Sequence, residues 1–382
     1  MKKHINLLFL ATENLLRHST KTIVVSLCII AILSPFITAI AISEGIRAQS
    51  LTSVGEGADL YLTFDEFGRN AAIPLKYLDD IKKIFGVTRV IPRVIGRGFL
   101  QNKLAVIVGL SKEDIPESIT CISGRIFENT GEVVVGHELA RHFHLAIGDQ
   151  FSMRGQQRKT FTIVGLFASD SSIWGSSLML MSFKDAGELF GKQGVASDFQ
   201  IYSLPGHNSE IATDLYDILQ HEPYRLQDKH MIELYFTKGF MLKEGVFSAL
   251  YIVAFALGVP AILVASGFGL SERKREIGIM KATGWNTLEV LELISLEQLL
   301  ISLLGAIIAI ALSILWVKLF NGVFIAQFFI AEINMLPKFT LPARFLPLPC
   351  MLSFFFAFIL TMVGSIYSSW RASAESPVVS MK

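Results

Sequence analysis

Few residues in this chain have the type and spacing to do chemistry, and phosphate and metal handling are the first chemistries to consider. No GxxxxGK[ST] loop occurs: Gly191-Lys192 is followed by Gln193 and lacks the upstream glycine, so the backbone cradle that this motif builds for nucleotide phosphates is missing. His137, His142 and His144 with Glu138 form the one cluster resembling metal ligands, but their spacing fits neither HExxH nor the usual zinc patterns, so no metal site is expected. Ser266-Gly-Phe-Gly269 is not a GxSxG elbow, and Cys28, Cys121 and Cys350 show no CxxC spacing. The expectation is a chain that is not itself an enzyme and holds no cofactor.

The informative segment is instead Ser271 to Trp285, dense in charge of both signs. As a helix it offers Glu272, Arg273, Arg275 and Glu276 to water, with Ile277, Met280 and Lys281 toward the membrane and Gly278 between them, and Gly284 lets the chain turn. It is either a solvated topogenic loop or a docking surface for a cytoplasmic partner. Reversing Arg275 or Glu276 should then cost little folding energy, because exposed ion pairs contribute only ~0–1 kcal/mol. Glu289, beyond the segment, serves as the neutral comparison.

The elements that must position this segment follow from composition. Of 382 residues 52% are hydrophobic and 18% charged, against about 25% charged in an ordinary soluble domain. A net charge of +1 excludes the basic stripe of a nucleic-acid binder. No Asp, Glu, Lys or Arg occurs between Lys21 and Glu44, Glu244 and Glu272, Glu297 and Lys318, or Arg344 and Arg371. Each stretch reaches the ~20 residues a helix needs to cross a bilayer. The predicted fold is an α-helical membrane protein with four transmembrane helices and a large extracytoplasmic α+β domain inserted between helices 1 and 2.

The boundaries read as an amphipathic cytoplasmic arm (1–21), spans at 22–43, 245–270, 293–317 and 346–370, the external domain at 44–244, the charged connection at 271–292, a short external loop at 318–345 and a cytoplasmic tail at 371–382. Basic residues in the arm, the 271–292 connection and the tail place these inside. Ile5, Leu8, Phe9, Leu15 and Leu16 give the arm an apolar face suited to the headgroup plane. Period-2 alternation predicts a strand over 58–64; 87–94, 104–110 and 132–135 read as further strands, with a hairpin whose arms are 150–153 and 160–167 and later strands near 178–181 and 198–203. Helices are expected at 137–143, 183–190 and 209–221.

Within the spans, Ala261, Ala265 and Gly269, and likewise Gly305, Ala309 and Ser313, stand at i, i+4, i+8, rows that suit packing within the chain or against a second copy. Gly258 and Pro260 remove a Cβ and an N–H within three residues and mark a candidate hinge. Glu297 opens the third span.

Three segments together resemble the MacB/FtsX-type (type VII) permeases of ABC transporters. Arg273-x-Arg275-Glu276-Ile277-Gly278-Ile279 followed by Ala282-x-Gly284 is similar to the family signature between its second and third spans. Glu132-Val-Val-Val-Gly-His-Glu-Leu-Ala140, Gly148-Asp149 and Phe161-Thr-Ile-Val-Gly-Leu166 resemble its external domain, and Arg371-Ala372 with Pro377 to Lys382 its tail. Trp285 departs from the smaller residues common there. The resemblance implies a cytoplasmic membrane protein with both termini inside, an ABC ATPase subunit docking at Glu272–Gly284, ATP and magnesium on that partner, and pairing with a second permease copy or paralogue. About twenty residues precede the first span, so the ATPase is expected on another chain. The implied work is export or extraction of a hydrophobic compound, peptide or lipoprotein, with an extracytoplasmic adaptor protein as a further partner. The alternative is FtsX-like signalling that activates an extracytoplasmic cell-wall hydrolase.

Overall fold

The computed structural model describes residues 2–100, 103–154, 158–169, 177–220, 222–267, 270–330, 333 and 339–374. They divide into a helical unit, Met1–Glu44, Met241–Ala326 and Ala343–Lys382, and an α+β unit, Gly45–Phe240 with Gln327–Pro342.

In the helical unit the uncharged stretches become helices because only a helix satisfies its own backbone in lipid. Ser19–Glu56, Lys229–Ile262 and Thr287–Phe320 are each long and apolar enough to cross a membrane; Pro347–Val363 is a shorter apolar helix, part of Pro347–Ala374. The helices outrun the expected spans, the first continuing to Glu56 and the second starting at Lys229, since charge ends an apolar stretch but does not end a helix. The first passes through Pro35 and the second through Pro260.

Val25, Ile29, Leu33 and Ile37, one turn apart, form the core of the unit with Tyr251, Ile262, Ile301, Ala306, Ala309, Ala357 and Leu360. Leu250, Leu257, Ile307, Leu315 and Phe355 lie exposed on the other faces, and helices apolar all round suit a lipid solvent.

The Gly305–Ala309–Ser313 row packs inside the chain. A Cβ on Gly305 would lie 3.0 Å from Ile29 Cγ2, Ala309 is buried, and the Ser313 hydroxyl sits 3.0 Å from the Ser34 carbonyl oxygen. Gly258 also makes room, for Ile32, whose Cδ1 would be 2.6 Å from an added Cβ. Ala261 is exposed beside buried Ile262, so its face is not the one packed within the chain. Gly269 and the side chain of Ala265 lie outside the described residues.

Among the described residues the α+β unit has thirteen strands: β1 (Leu60–Glu66), β2 (Arg69–Ala71), β3 (Ile73–Pro74), β4 (Val87–Leu100), β5 (Lys103–Leu110), β6 (Ile119–Gly124), β7 (Glu132–Gly136), β8 (Gln150–Arg154), β9 (Arg158–Ser169), β10 (Leu178–Ser182), β11 (Val195–Ala196), β12 (Asp198–Ser203) and β13 (Tyr224–Asp228). The main sheet runs β13-β1-β12-β4-β5-β10-β7-β9-β6, with β2 on β1 and β8 on β9, and β3 pairs with β11 apart from it. β5–β10 and β7–β9 are parallel.

β4 joins two cores. Its first half pairs with β12 above Leu60, Leu62, Phe199, Ile201, Ile211 and Leu215, and its second half pairs with β5 beside Ile107, Val133, Leu139, Phe161, Ile163 and Met179. The strand expected over 87–94 is thus longer, because Gly96 and Gly98 blur the alternation where β5 supplies the pairing. Strands β2, β3, β6, β11 and β13 were not read from the alternation; four have five residues or fewer, and β6 is exposed along most of its length. Residues 155–157 of the expected hairpin turn lie outside the described residues.

Two of the sequence segments singled out above acquire physical reasons here. The Glu132 carboxylate accepts from Arg125 at 2.5 and 2.7 Å and from the Glu128 and Asn129 amides, and the Arg125 bond foremost holds it far below the usual carboxylate range against the cost of desolvation. Gly165 lies where a Cβ would sit 2.2 Å from the Arg125 carbonyl oxygen.

The β1–β2 turn holds Phe67 at φ +51 and Gly68 at φ +77, and Phe67 is 98% exposed. A two-residue hairpin turn with both centres at positive φ favours Asn-Gly over Phe-Gly. Asp65 accepts from the Gly68 amide at 2.8 Å and Arg225 clasps Asp65 at 2.5 Å, so the turn is braced. Phe67→Asn is expected to stabilise the unit by about 1 kcal/mol, since the left-handed penalty is relieved and no burial is lost. Denaturant unfolding of the full chain measures it; an unchanged or lowered midpoint would refute the strain argument.

Candidate docking surface

The charged segment forms the helix Leu270–Ala282. Gly284 ends it at φ +99, with the Trp285 amide donating to the Met280 carbonyl at 3.0 Å and the Gly284 amide to Lys281 at 3.1 Å. This paired closure needs a left-handed residue after the helix, where glycine has no Cβ penalty. The third long helix then starts at the Asn286 cap, and Glu289 reaches back to the Asn286 amide at 2.9 Å. Glu289 therefore belongs to a capping box and is no neutral comparison, because reversing it would leave the Asn286 amide without its carboxylate acceptor.

Within the helix the residues divide by face. Arg275 and Ile279 are exposed, Lys281 is half-buried, and Ile277 and Gly278 are buried. Ile277 packs on Val290 and Ile294 with Met280 and Trp285, so this face meets the third long helix in place of the expected membrane. Trp285, the departure from the family pattern, fills that contact. The side chains of Glu272 and Arg273 lie outside the described residues.

Glu276 also differs from its expected place. Its side chain is only 17% exposed and lies 3.3 Å from His18 Nε2 and 3.4 Å from Arg17 Nη1. Its charge is used inside the chain, so reversing it should disturb the chain's own packing.

Arg17 ends the N-terminal helix, Lys2–Arg17, and His18 directly follows it. Leu7 and Ala11 are buried against Leu293, while Ile5, Leu8, Phe9 and Leu16 of the expected apolar face are exposed. Asn14 Nδ2 donates to Glu297 at 2.8 Å, and His4 Nδ1 lies 2.5 Å from Glu292. Glu297 is 6% exposed, so it is a buried, hydrogen-bonded carboxylate and not a side chain reaching for the interface. His4, Leu7, Ala11, Asn14 and His18 recur at 3- and 4-residue spacing, a stripe that marks this second face in the sequence but that the stronger apolar signal of Ile5, Leu8 and Phe9 conceals.

In the α+β unit, His144 ends the helix His137–Phe143 at φ +54. Among the described residues no group of three or more His, Cys, Asp or Glu is placed to hold a metal.

Long apolar helices, an α+β unit and a charged helix between the second and third long helices define an integral membrane protein with a large folded domain. Residues 22–211 match the model of the MacB-like periplasmic core domain and residues 248–377 that of the FtsX-like permease C-terminal region. The chain belongs to the MacB/FtsX-like family of ABC transporter permeases.

It is 23% identical over 359 residues to the macrolide export ATP-binding/permease protein MacB of Photorhabdus laumondii, covering 80% of this chain and 52% of that protein. With the protein of the same description from Nitrosomonas europaea it shares 25% over 377 residues, covering 86% of this chain and 55% of the other. The chain thus spans about half the length of the curated relatives it matches. Similar solved structures include the periplasmic region of MacB from Actinobacillus actinomycetemcomitans, with TM-score 0.37, 14% identity and coverage of 47% of this chain and 94% of that one. The extracellular domain of the noncanonic ABC-type transporter YknZ from Gram-positive bacteria gives TM-score 0.35, 15% identity and coverage of 44% and 99%.

Proposed function

We propose that this chain is the membrane subunit of an ATP-driven machine: four spans with both ends in the cytoplasm, the α+β unit outside, and an ABC ATPase docked on the helix Leu270–Ala282. Two such subunits pair, and the ATP cycle of the docked subunit drives the α+β unit to export or extract a hydrophobic compound, peptide or lipoprotein. The observation that carries this reading is the division of the docking helix into a face satisfied within the chain, Ile277 and Gly278, and a face offered outward, Arg275 and Ile279. The relatives named for both ATP binding and permeation support an ATPase as the partner.

Isolation of the full chain from its native membrane should bring an ATP-hydrolysing subunit with it. Arg275→Glu should lower that co-isolation about tenfold or more, because truncating one member of a buried interfacial charge pair costs ~2–5 kcal/mol and ~1.4 kcal/mol is already tenfold. Glu13→Lys, at an exposed position of the N-terminal helix, replaces Glu289 as the comparison and should change little. Equal co-isolation by all three chains would reject the docking helix. An external protein captured in the same isolation separates the two classes of work: an adaptor fits transport, a cell-wall hydrolase fits signalling.

Topology has its own test in the native thiols. Cys121, exposed in the α+β unit, should react with a membrane-impermeant maleimide in intact cells. A Cys121→Ser, Lys281→Cys chain should react only after permeabilisation. Labelling of both from the same side would remove the four-span arrangement.

A further inference from the structure

Glu276 belongs to the segment that matches the family signature, yet its described ion pairs lie within the chain. His18 and Arg17, at the end of the N-terminal helix, flank its two carboxylate oxygens. The same N-terminal helix is fixed to the third long helix at both ends of its packing stripe, by His4 with Glu292 and by Asn14 with buried Glu297, and Leu7 and Ala11 fill the space between against Leu293. One helix thus bridges two others that meet through the 283–286 turn and the apolar contact of Ile277 with Val290 and Ile294.

We propose that Glu276 is a positioning residue acting in cis: it fastens the docking helix to the N-terminal helix, and through Asn14–Glu297 and His4–Glu292 the N-terminal helix passes displacement of the docking helix on to the third long helix. This deepens the docking assignment above and rests on it. The physical requirement is rigidity at each joint. Apolar contact alone lets helices slide, whereas a half-buried carboxylate held by two cationic or hydrogen-bonding partners resists sliding, because moving it strands a charge away from its partners. Glu276, between Arg17 and His18, supplies such a joint at one end of the path, and buried Glu297, accepting from Asn14, fixes the other.

The test uses the full chain with the ATPase that co-isolates from the native membrane, and four variants: Glu276→Arg, the double Arg17→Glu/His18→Glu, the triple combining them, and Arg275→Glu. Thermal unfolding of the purified permease needs no partner. Glu276→Arg and the double variant should each lower the midpoint by a few degrees, and the triple should recover most of that loss, because the charges are exchanged across the same gap.

A structural brace alone would do as much, so hydrolysis by the co-isolated subunit is the second readout. Glu276→Arg and the double variant should keep that subunit at wild-type stoichiometry yet change its permease-dependent hydrolysis by about fivefold or more, the lower end of usual couplings between sites, with the triple restoring it. If Glu276→Arg loses the ATPase while the double variant keeps it, Glu276 contacts the partner directly and the proposal is overturned. If unfolding shows no recovery in the triple, the joint itself is absent and the proposal is overturned. If Arg275→Glu leaves co-isolation intact, or no ATPase accompanies the wild-type chain, the docking assignment fails, and recovery of the midpoint in the triple then still reports the joint independently.

Discussion

Lys159→Ala is expected to destabilise the α+β unit by about 3 kcal/mol, the lower end of what removing one partner of a buried ion pair costs. Asp185 is fully buried at the start of the helix Phe183–Phe190. Lys159 Nζ lies 2.5 Å from its Oδ1 and 2.7 Å from Glu188, while the other oxygen accepts from the Gly131 amide at 2.9 Å and the Ser182 hydroxyl at 2.8 Å. The carboxylate thereby ties β9, the approach to β7 and the end of β10 together. Without Lys159 it keeps its neutral donors and loses its countercharge.

The pH dependence carries the same signature with a defined sign. Burial opposes the charged lysine, but the hydrogen bonds to Asp185 and Glu188 outweigh it, so the Lys159 pKa lies above its ordinary value. A raised pKa means the pair stabilises fully below the unfolded lysine's pKa and is lost as pH rises through the folded one. The difference in unfolding midpoint between wild type and Lys159→Ala should therefore hold through neutral pH and shrink only in strong alkali. Pulse proteolysis of the full chain across a denaturant series measures both; a difference under about 1 kcal/mol at neutral pH would place this lysine among ordinary surface ion pairs.

The second large effect belongs to Gly165→Ala, expected to cost ~3 kcal/mol as an overpacking that cannot relax. The new methyl would meet backbone: the Arg125 carbonyl oxygen at 2.2 Å and the Arg125 amide nitrogen at 3.2 Å. Relief would require β6 and β9 to part where Gly124 and Gly165 are paired, and that pairing borders the Arg125–Glu132 ion pair. Gly148→Ala in the same unit is the comparison for glycine loss, since nothing lies within 4 Å of an added Cβ there and its cost comes from its φ of +97 alone. If Gly165→Ala unfolds at the wild-type denaturant concentration, the close approach of the two strands is wrong. A loss no larger than that of Gly148→Ala would point to backbone conformation and not to crowding.

The glycine in Phe161-Thr-Ile-Val-Gly-Leu166 shows how the two levels of information divide. As letters the segment reads as a strand, and it is one, β9. Why its fifth residue carries no side chain depends on residues 124 and 125, forty positions away, and no local pattern contains that.

By itself the sequence determined where the chain would be helical and apolar and where it would alternate, because those properties are set locally. A stretch without charge long enough to cross lipid has only the helix in which to satisfy its amides, and residues 298–317 within Thr287–Phe320 follow from that alone. A short run of β-branched valines makes Glu132–Gly136 read as a strand from its own residues. The Gly284 turn was legible for the same reason, since the need for a left-handed residue arises within five positions.

Tertiary structure alone decided which strands became neighbours, which face of the N-terminal helix was buried, and whom Glu276 meets. β5 lies beside β10 in parallel across some seventy residues of chain, and β4 serves two cores because two different strands complete it. The apolar residues Ile5, Leu8 and Phe9, read as a face for the headgroup plane, are exposed, while Leu7 and Ala11 on a second face pack, since the third long helix offers Leu293 flanked by two carboxylates that need Asn14 and His4. Hydrophobic periodicity ranks faces by oiliness, whereas packing selects the face whose shape and hydrogen-bond donors fit the neighbour. A carboxylate such as Glu276 is therefore readable as charged from its own letter, but as exposed or fastened only from residues more than 250 positions away.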